Sequence, residues 1–213
     1  MTPGLKPEKG SNINQTMTKL LLATNNKGKV HEYQALLTGI PFDIVTLSDV
    51  DITTEVDETG NSFEENATLK ATALAKESGL LTLADDSGLE VDALGGAPGS
   101  LSHRYAGESA TDADRINYLL LKLKDMPEKA RTAQFRCVIA IAAPDGKVGL
   151  CSGICRGIIT TAPRGEHGFG YDPVFYVPEL GKTMAELLPE EKNRVSHRAR
   201  AAEKAREVLK GLW

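Results

Sequence analysis

The chain has 213 residues, of which 41% are apolar and 25% charged, enough for one larger domain, or one domain in two lobes, with a real core. Its formal net charge of −4 argues against a broad nucleic-acid-binding surface, which needs a basic stripe, although a local cluster of Lys and Arg can still hold a small anion. No run of about 18 apolar residues is present to span a bilayer, and Cys137, Cys151 and Cys155 make neither a disulfide framework nor a zinc set. They read as reduced, buried cysteines of a cytoplasmic protein.

Residues 1–16 are polar, carry Pro, Gly and Asn, and lack the apolar centre of a signal peptide. They read as a disordered extension ahead of Met17, with residues 17–213 forming a single domain of two lobes. The run 19–24 is a buried strand, followed by the loop Asn25-Asn26-Lys27-Gly28 and a helix from Lys29 to Leu37 that Gly39 and Pro41 stop. A second strand spans Phe42–Leu47. After an acidic loop from Asp49 to Gly60, Ser62 and Glu65 form a capping-box signature for a helix that ends at Gly79. Leu81–Ala84 is a third strand, running into Asp85-Asp86-Ser87-Gly88. Residues 95–107 are rich in Gly, Pro and Ser and read as loop. Thr111 and Asp114 open a helix to about Lys124. Segments 132–143 and 147–160 flank Pro144-Asp145-Gly146, a turn in which Pro presets one φ and Gly permits a positive one. That antiparallel hairpin makes the sheet mixed. A strand over Pro173–Val177, a short helix begun by Thr183 and Glu186, and a helix from Ser196 to Leu209 complete an α/β chain.

Four polar features stand where such a protein keeps ligands, in loops beyond strand ends. Thr24 to Lys29 offers helix-start N–H groups and lysines to phosphate. Lys70 shares a helical stripe with Phe63, Ala67 and Leu74, so it either snorkels to water or meets an anion. The adjacent carboxylates Asp85 and Asp86 repel each other, and a divalent cation relieves both. Mg²⁺ uses one or two carboxylates together with phosphate oxygens. In the fourth feature, Gly168 to Pro173, an aromatic ring offers a stacking face and Asp172 can accept from a ring N–H. His197 and Arg198 stand at a helix start.

These segments together resemble the inosine triphosphate pyrophosphatase family, the Ham1-like non-canonical purine NTP pyrophosphatases. The matching stretches are LLLATNNKGKVHE, ETGNSFEENATLKA, ADDSGLEVDALGGAPG, GFGYDPVF, GKTMAEL and EEKNRVSHR, in family order from Lys19 onward. The resemblance implies an elongated, two-lobed mixed-sheet α/β/α fold with a central nucleotide cleft, usually homodimeric. It implies hydrolysis of ITP, dITP and XTP to a monophosphate and pyrophosphate, with Mg²⁺ as cofactor, and no nucleic-acid or membrane partner.

It also implies roles. Thr24, Asn25, Asn26, Lys27, Gly28 and Lys29 would hold the triphosphate, with Lys70 a further phosphate contact. Asp86 would bind Mg²⁺ and act as base, Ser87 would touch substrate, and Glu58 would be the second metal ligand, with Asp57 a competitor. Phe169, Gly170, Tyr171, Asp172, Lys182, His197 and Arg198 would form the base pocket and rim. Selectivity would come from donors such as Arg198 that pair with a six-position carbonyl and leave an amino group unpaired. The competing readings are a pyrophosphatase for pyrimidine triphosphates and a non-catalytic nucleotide- or RNA-binding module. The acidic pair speaks against the second.

Overall fold

The computed structural model describes residues 17–211, so the extension expected over 1–16 lies outside the described residues. A seven-stranded sheet has the order β2-β1-β3-β4-β5-β6-β7. Strands β1 (Thr18–Leu22), β2 (Phe42–Thr46) and β3 (Leu81–Val91) pair in parallel. Strands β4 (Thr132–Ala142), β5 (Val148–Ile159), β6 (Phe175–Val177) and β7 (Lys182–Thr183) continue antiparallel. The hairpin turn at Gly146 has φ 91°, as the Pro-Asp-Gly triplet requires.

Helices cover both faces. Helices α1 (Lys27–Leu36) and α5 (His197–Lys210) pack with Leu20, Leu22, Leu83 and Ile139 on one side. Helix α2 (Phe63–Ser78) packs with Leu21, Ala84 and Val138 on the other. The alternation of Leu20, Leu21 and Leu22 between the two layers follows from the pleat, and burial of each stabilises by about 1.5–3 kcal/mol. A third core, around Leu89, Phe135 and Phe175, gathers α3 (Asp112–Lys122) at the far end of the sheet.

Thr111 and Thr183 open their elements with full capping boxes, the second a short 3-10 turn at Met184–Glu186, whereas in the box expected at Ser62 the Glu65 carboxylate accepts from the Asn61 N–H instead of the Ser62 N–H. Ser62 caps α2 and Gly79 ends it with φ 68°. Several elements differ from expectation, among them β7 and the later start of β6 at Phe175. The third strand does not stop at Ala84: β3 runs through Asp85 to Val91, paired residue by residue with β4 from Thr82↔Ala142 to Val91↔Ala133. Its polar residues stay in the ladder because each finds a partner or a cleft. The segment read as loop holds a 3-10 turn over Gly99–Arg104. A short helix, α4 (Pro189–Val195), precedes α5.

Candidate functional site

The continuation of β3 decides the chemistry of its two carboxylates. Successive side chains on a strand point to opposite faces, so Asp85 and Asp86 do not share a cation. Asp85 is buried on the α1/α5 side, its Oδ2 3.0 Å from Lys29 Nζ and 3.4 Å from the Arg198 guanidinium. Burial alone would raise its pKa, but Lys29 and Arg198 hold the carboxyl well below the usual carboxylate range. Asp86 faces α2 and a cleft of about 500 Å³. Its Oδ2 accepts from Asn66 Nδ2 at 3.0 Å and its Oδ1 from the Ser87 N–H at 2.8 Å. Burial and the neighbouring Glu58 charge push Asp86 up to about 6, against the pull of Lys70.

Lys70 does not snorkel. Its Nζ donates to Glu58 Oε1 at 2.6 Å and to the Asp85 carbonyl at 2.7 Å. Burial would lower its pKa, yet Glu58, Asp85 and Asp86 together raise it. Glu58 borders the cleft, whereas Asp57 is exposed and lies outside its lining. Among the described residues no three His, Cys, Asp or Glu side chains converge into a metal cage. The donor set present, Asp86 with Glu58, is the one- or two-carboxylate kind that suits Mg²⁺ beside phosphate. The raised Asp86 carboxyl is a charge that a cation would relieve. These residues therefore fit a Mg²⁺ ion.

Across the cleft, β1 ends and the Thr24–Lys29 loop turns into α1. Thr24 Oγ1 accepts from the Asn26 N–H at 3.2 Å, and Asn26 Oδ1 caps the helix at the Lys29 N–H at 3.0 Å. Thr24, Asn25, Asn26 and Lys29 line the cleft; Lys27 is exposed outside it. Gly28 serves packing instead. A Cβ there would stand 2.6 Å from the Phe169 ring, so only glycine lets that ring lie against the helix start.

At the other end of the cleft, Phe169, Gly170, Tyr171 and Asp172 come together with His197 and Arg198. Asp172 Oδ2 accepts from the Phe169 N–H at 3.0 Å and pairs with Lys192 Nζ. Burial pushes Asp172 up, with Lys192 only partly opposing it. Both contacts fall on Oδ2, so the Asp172 carboxylate, which lines the cleft, is held in place by Lys192 and the turn. The Arg198 guanidinium is likewise committed. It donates to Glu32 Oε2 at 2.6 Å and Ser87 Oγ at 2.9 Å, and only its Nε is buried without a partner. His197 stacks on Phe135 with centroids 4.7 Å apart, and its Nδ1 is also unpartnered. Burial, then Arg198 and Lys192, hold His197 well below its ordinary pKa, so the imidazole is neutral.

Lys182 is not part of this assembly. It sits on β7, 3.3 Å from Glu191 Oε1, outside the cleft lining. Lys192 occupies the cleft in its stead, 2.8 Å from Glu32 Oε1 and over the Phe169 ring at 4.7 Å. Sequence reasoning missed Lys192 and Glu32, although both lie inside the quoted stretches EEKNRVSHR and LLLATNNKGKVHE. The signal was a Lys and a Glu at positions that must be buried on helices packed together. All three cysteines are buried and free, as expected.

The chain matches the model of the Ham1 family over residues 20–208. The dITP/XTP pyrophosphatase of Desulforamulus reducens is 52% identical over 195 residues, covering 92% of this chain and 97% of that protein. The dITP/XTP pyrophosphatase of Bacillus subtilis is 46% identical over 193 residues, 91% of this chain and 98% of that one. A HAM1 protein of Coxiella burnetii superposes with a TM-score of 0.84 at 44% identity, covering 92% of this chain and all of that one. With its fold, its cleft and these likenesses together, the chain belongs to the Ham1 family.

Proposed function

We propose that this chain hydrolyses the bond between the α and β phosphates of non-canonical purine nucleoside triphosphates (ITP, dITP and XTP), releasing the monophosphate and pyrophosphate. The observation that carries the reading is the Asp86 carboxyl, raised to about 6 at the wall of a cleft whose opposite wall is a helix start with Lys29. Once ionised, a carboxylate so placed can hold a cation and orient a water at the cleft wall. The dITP/XTP pyrophosphatase names of its relatives support the substrate class.

Asp86 and Glu58 would hold Mg²⁺, which when bound would supply charge neutralisation and lower the pKa of a nearby water. Asp86 orients the attacking water and accepts its proton. Lys29 and Lys70 offset the charge that grows on the leaving pyrophosphate, the chief demand of phosphoryl transfer. Phe169 gives the purine a stacking face. Arg198 and the neutral His197 ring line the same end of the cleft, beside that ring. A protein N–H there donates to the six-position carbonyl of inosine or xanthosine and leaves an adenine amino group unmatched, a mismatch worth ~10⁴ in discrimination. The same reading takes the enzyme as a cytoplasmic homodimer, as the family resemblance implies, and sedimentation equilibrium reads the dimer mass.

Pyrophosphate release from ITP, dITP, XTP, GTP, ATP and dTTP, with and without Mg²⁺, tests the proposal. Turnover is expected on ITP, dITP and XTP and not on ATP or dTTP, and only with the metal; GTP, which also carries the six-position carbonyl, reports whether the 2-amino group is read as well. Asp86→Asn should lower kcat by about 10²–10⁴-fold with the fold kept by circular dichroism. Near-normal turnover in that variant refutes the base assignment.

A further inference from the structure

Charge accounting in the cleft leaves one cation uncommitted. Lys29 is paired with Asp85, Lys70 with Glu58, Arg115 with Asp112, Lys192 with Asp172, and Arg198 with Glu32. Arg104 also lines the cleft, and it forms no ion pair with any described residue. Its nearest polar contact is a long one, from NH2 to the Glu58 carbonyl at 3.5 Å. Glu55 and Glu108 border the same cleft without pairing with it. A half-buried guanidinium held next to the Glu58 backbone, with its donors unspent, matches a phosphate group in charge and fork geometry.

The local fold holds Arg104 there. It ends the 3-10 turn Gly99–Arg104, which docks on β3 at Gly88. A Cβ on Gly88 would stand 2.3 Å from the Gly99 carbonyl oxygen and 2.4 Å from Ser102 Oγ, so the close approach depends on glycine. Ser102 Oγ accepts from the Leu89 N–H at 2.9 Å and donates to the Gly99 carbonyl at 2.6 Å. From the far side, Tyr171 donates its hydroxyl to the Ser102 carbonyl at 2.9 Å, and Arg115 donates to the His103 carbonyl at 2.6 Å. The turn is pinned from both walls of the cleft, and its last residue projects no bond of its own beyond Glu58.

We propose that Arg104 is a further binding residue for the polyphosphate tail, gripping the pyrophosphate end of the substrate beside Glu58 and Lys70. This rests on the functional reading above and extends it to a residue on a third element. The three cations on α1, α4 and α5, Lys29, Lys192 and Arg198, are neutralised before substrate arrives. Arg104 therefore supplies charge that no carboxylate among the described residues pairs with.

The test is calorimetric titration of the full chain with pyrophosphate and, separately, with inosine monophosphate, both in Mg²⁺. Arg104→Gln should weaken pyrophosphate binding by about tenfold or more, the loss of one or two charge-assisted hydrogen bonds, and leave the monophosphate unchanged. The KM for ITP should rise in step. Unchanged pyrophosphate affinity, or an equal loss for the monophosphate, overturns the assignment. Should Arg104→Gln fail to fold, Arg104→Lys keeps the charge and removes the fork; a severalfold loss for pyrophosphate is expected, and none overturns the proposal. If the wild type hydrolyses no purine triphosphate, the functional reading fails, while the pyrophosphate titration still reports on Arg104.

Discussion

A step of one residue along β3 carries a side chain through the sheet, and here it carries a carboxylate from one task to another. Asp85 neutralises Lys29 and Arg198 in the dry interior, while Asp86 meets the cleft. Asp85→Asn keeps the shape and removes the charge. It should cost about 3–5 kcal/mol in urea unfolding, since two buried cations lose a counter-charge. The sign with pH follows from the depressed folded pKa of Asp85. Its contribution is complete above the unfolded carboxylate value of about 4 and is lost as pH falls through the folded value. The stability gap between wild type and variant should therefore narrow on acidification, and an unchanged gap at low pH would contradict the pairing. The adjacency of the two acids was legible from the chain; their separation was not. Asp-Asp-Ser-Gly has the composition of a turn, and only the ladder with β4 keeps it extended.

Among the elements, α3 reaches the base end of the cleft through one side chain. Asp112, in its first turn, accepts from the Gly170 N–H at 2.7 Å and from Arg115 at 2.6 Å. The Phe169–Gly170 turn is thus held from two sides, by Asp172 and by Asp112. Asp112→Ala should loosen the turn and raise the KM for ITP by about tenfold, the worth of a charge-assisted bond, with kcat nearly retained. Steady-state kinetics reads the split, and a fall in kcat at constant KM would count against a positioning role. Long elements with strong signals, α2 with its cap and the β4–β5 hairpin with its Pro-Asp-Gly turn, could be read from the sequence. The short ones, α4 and the 3-10 turn before Arg104, carry too few residues for a period to show. Lys192 escaped notice for the same reason: it sits in a matching stretch, and its burial against Glu32 and Asp172 is decided by how α1 and α4 meet.

For the whole molecule, the order β2-β1-β3-β4-β5-β6-β7 places the change from parallel to antiparallel pairing at β3, the strand that carries both aspartates. The mixed α/β sheet was legible because its hairpin and its first strand–helix–strand unit are local. The cleft was legible only through six motifs in order, since its walls come from residues far apart in the chain. Because Asp86 must shed its proton to hold Mg²⁺, metal and proton compete. Mg²⁺ should raise the melting temperature at pH 7.5, by mass action. Below about pH 6, the value of Asp86 in the metal-free protein, its apparent affinity should drop about tenfold per pH unit for one proton. A Mg²⁺-dependent shift that persists undiminished at pH 5 would show that Asp86 is not a ligand. The interior also contains a chain of alternating sign: Asp172, Lys192, Glu32, Arg198, Asp85, Lys29. Three positive and three negative groups sum to zero, and they stitch α1, α4, α5, β3 and the aromatic turn into one electroneutral skeleton. Loss of any single member leaves the other five with one uncompensated charge in a largely buried setting, so a change at one of these six positions calls for a compensating change at another.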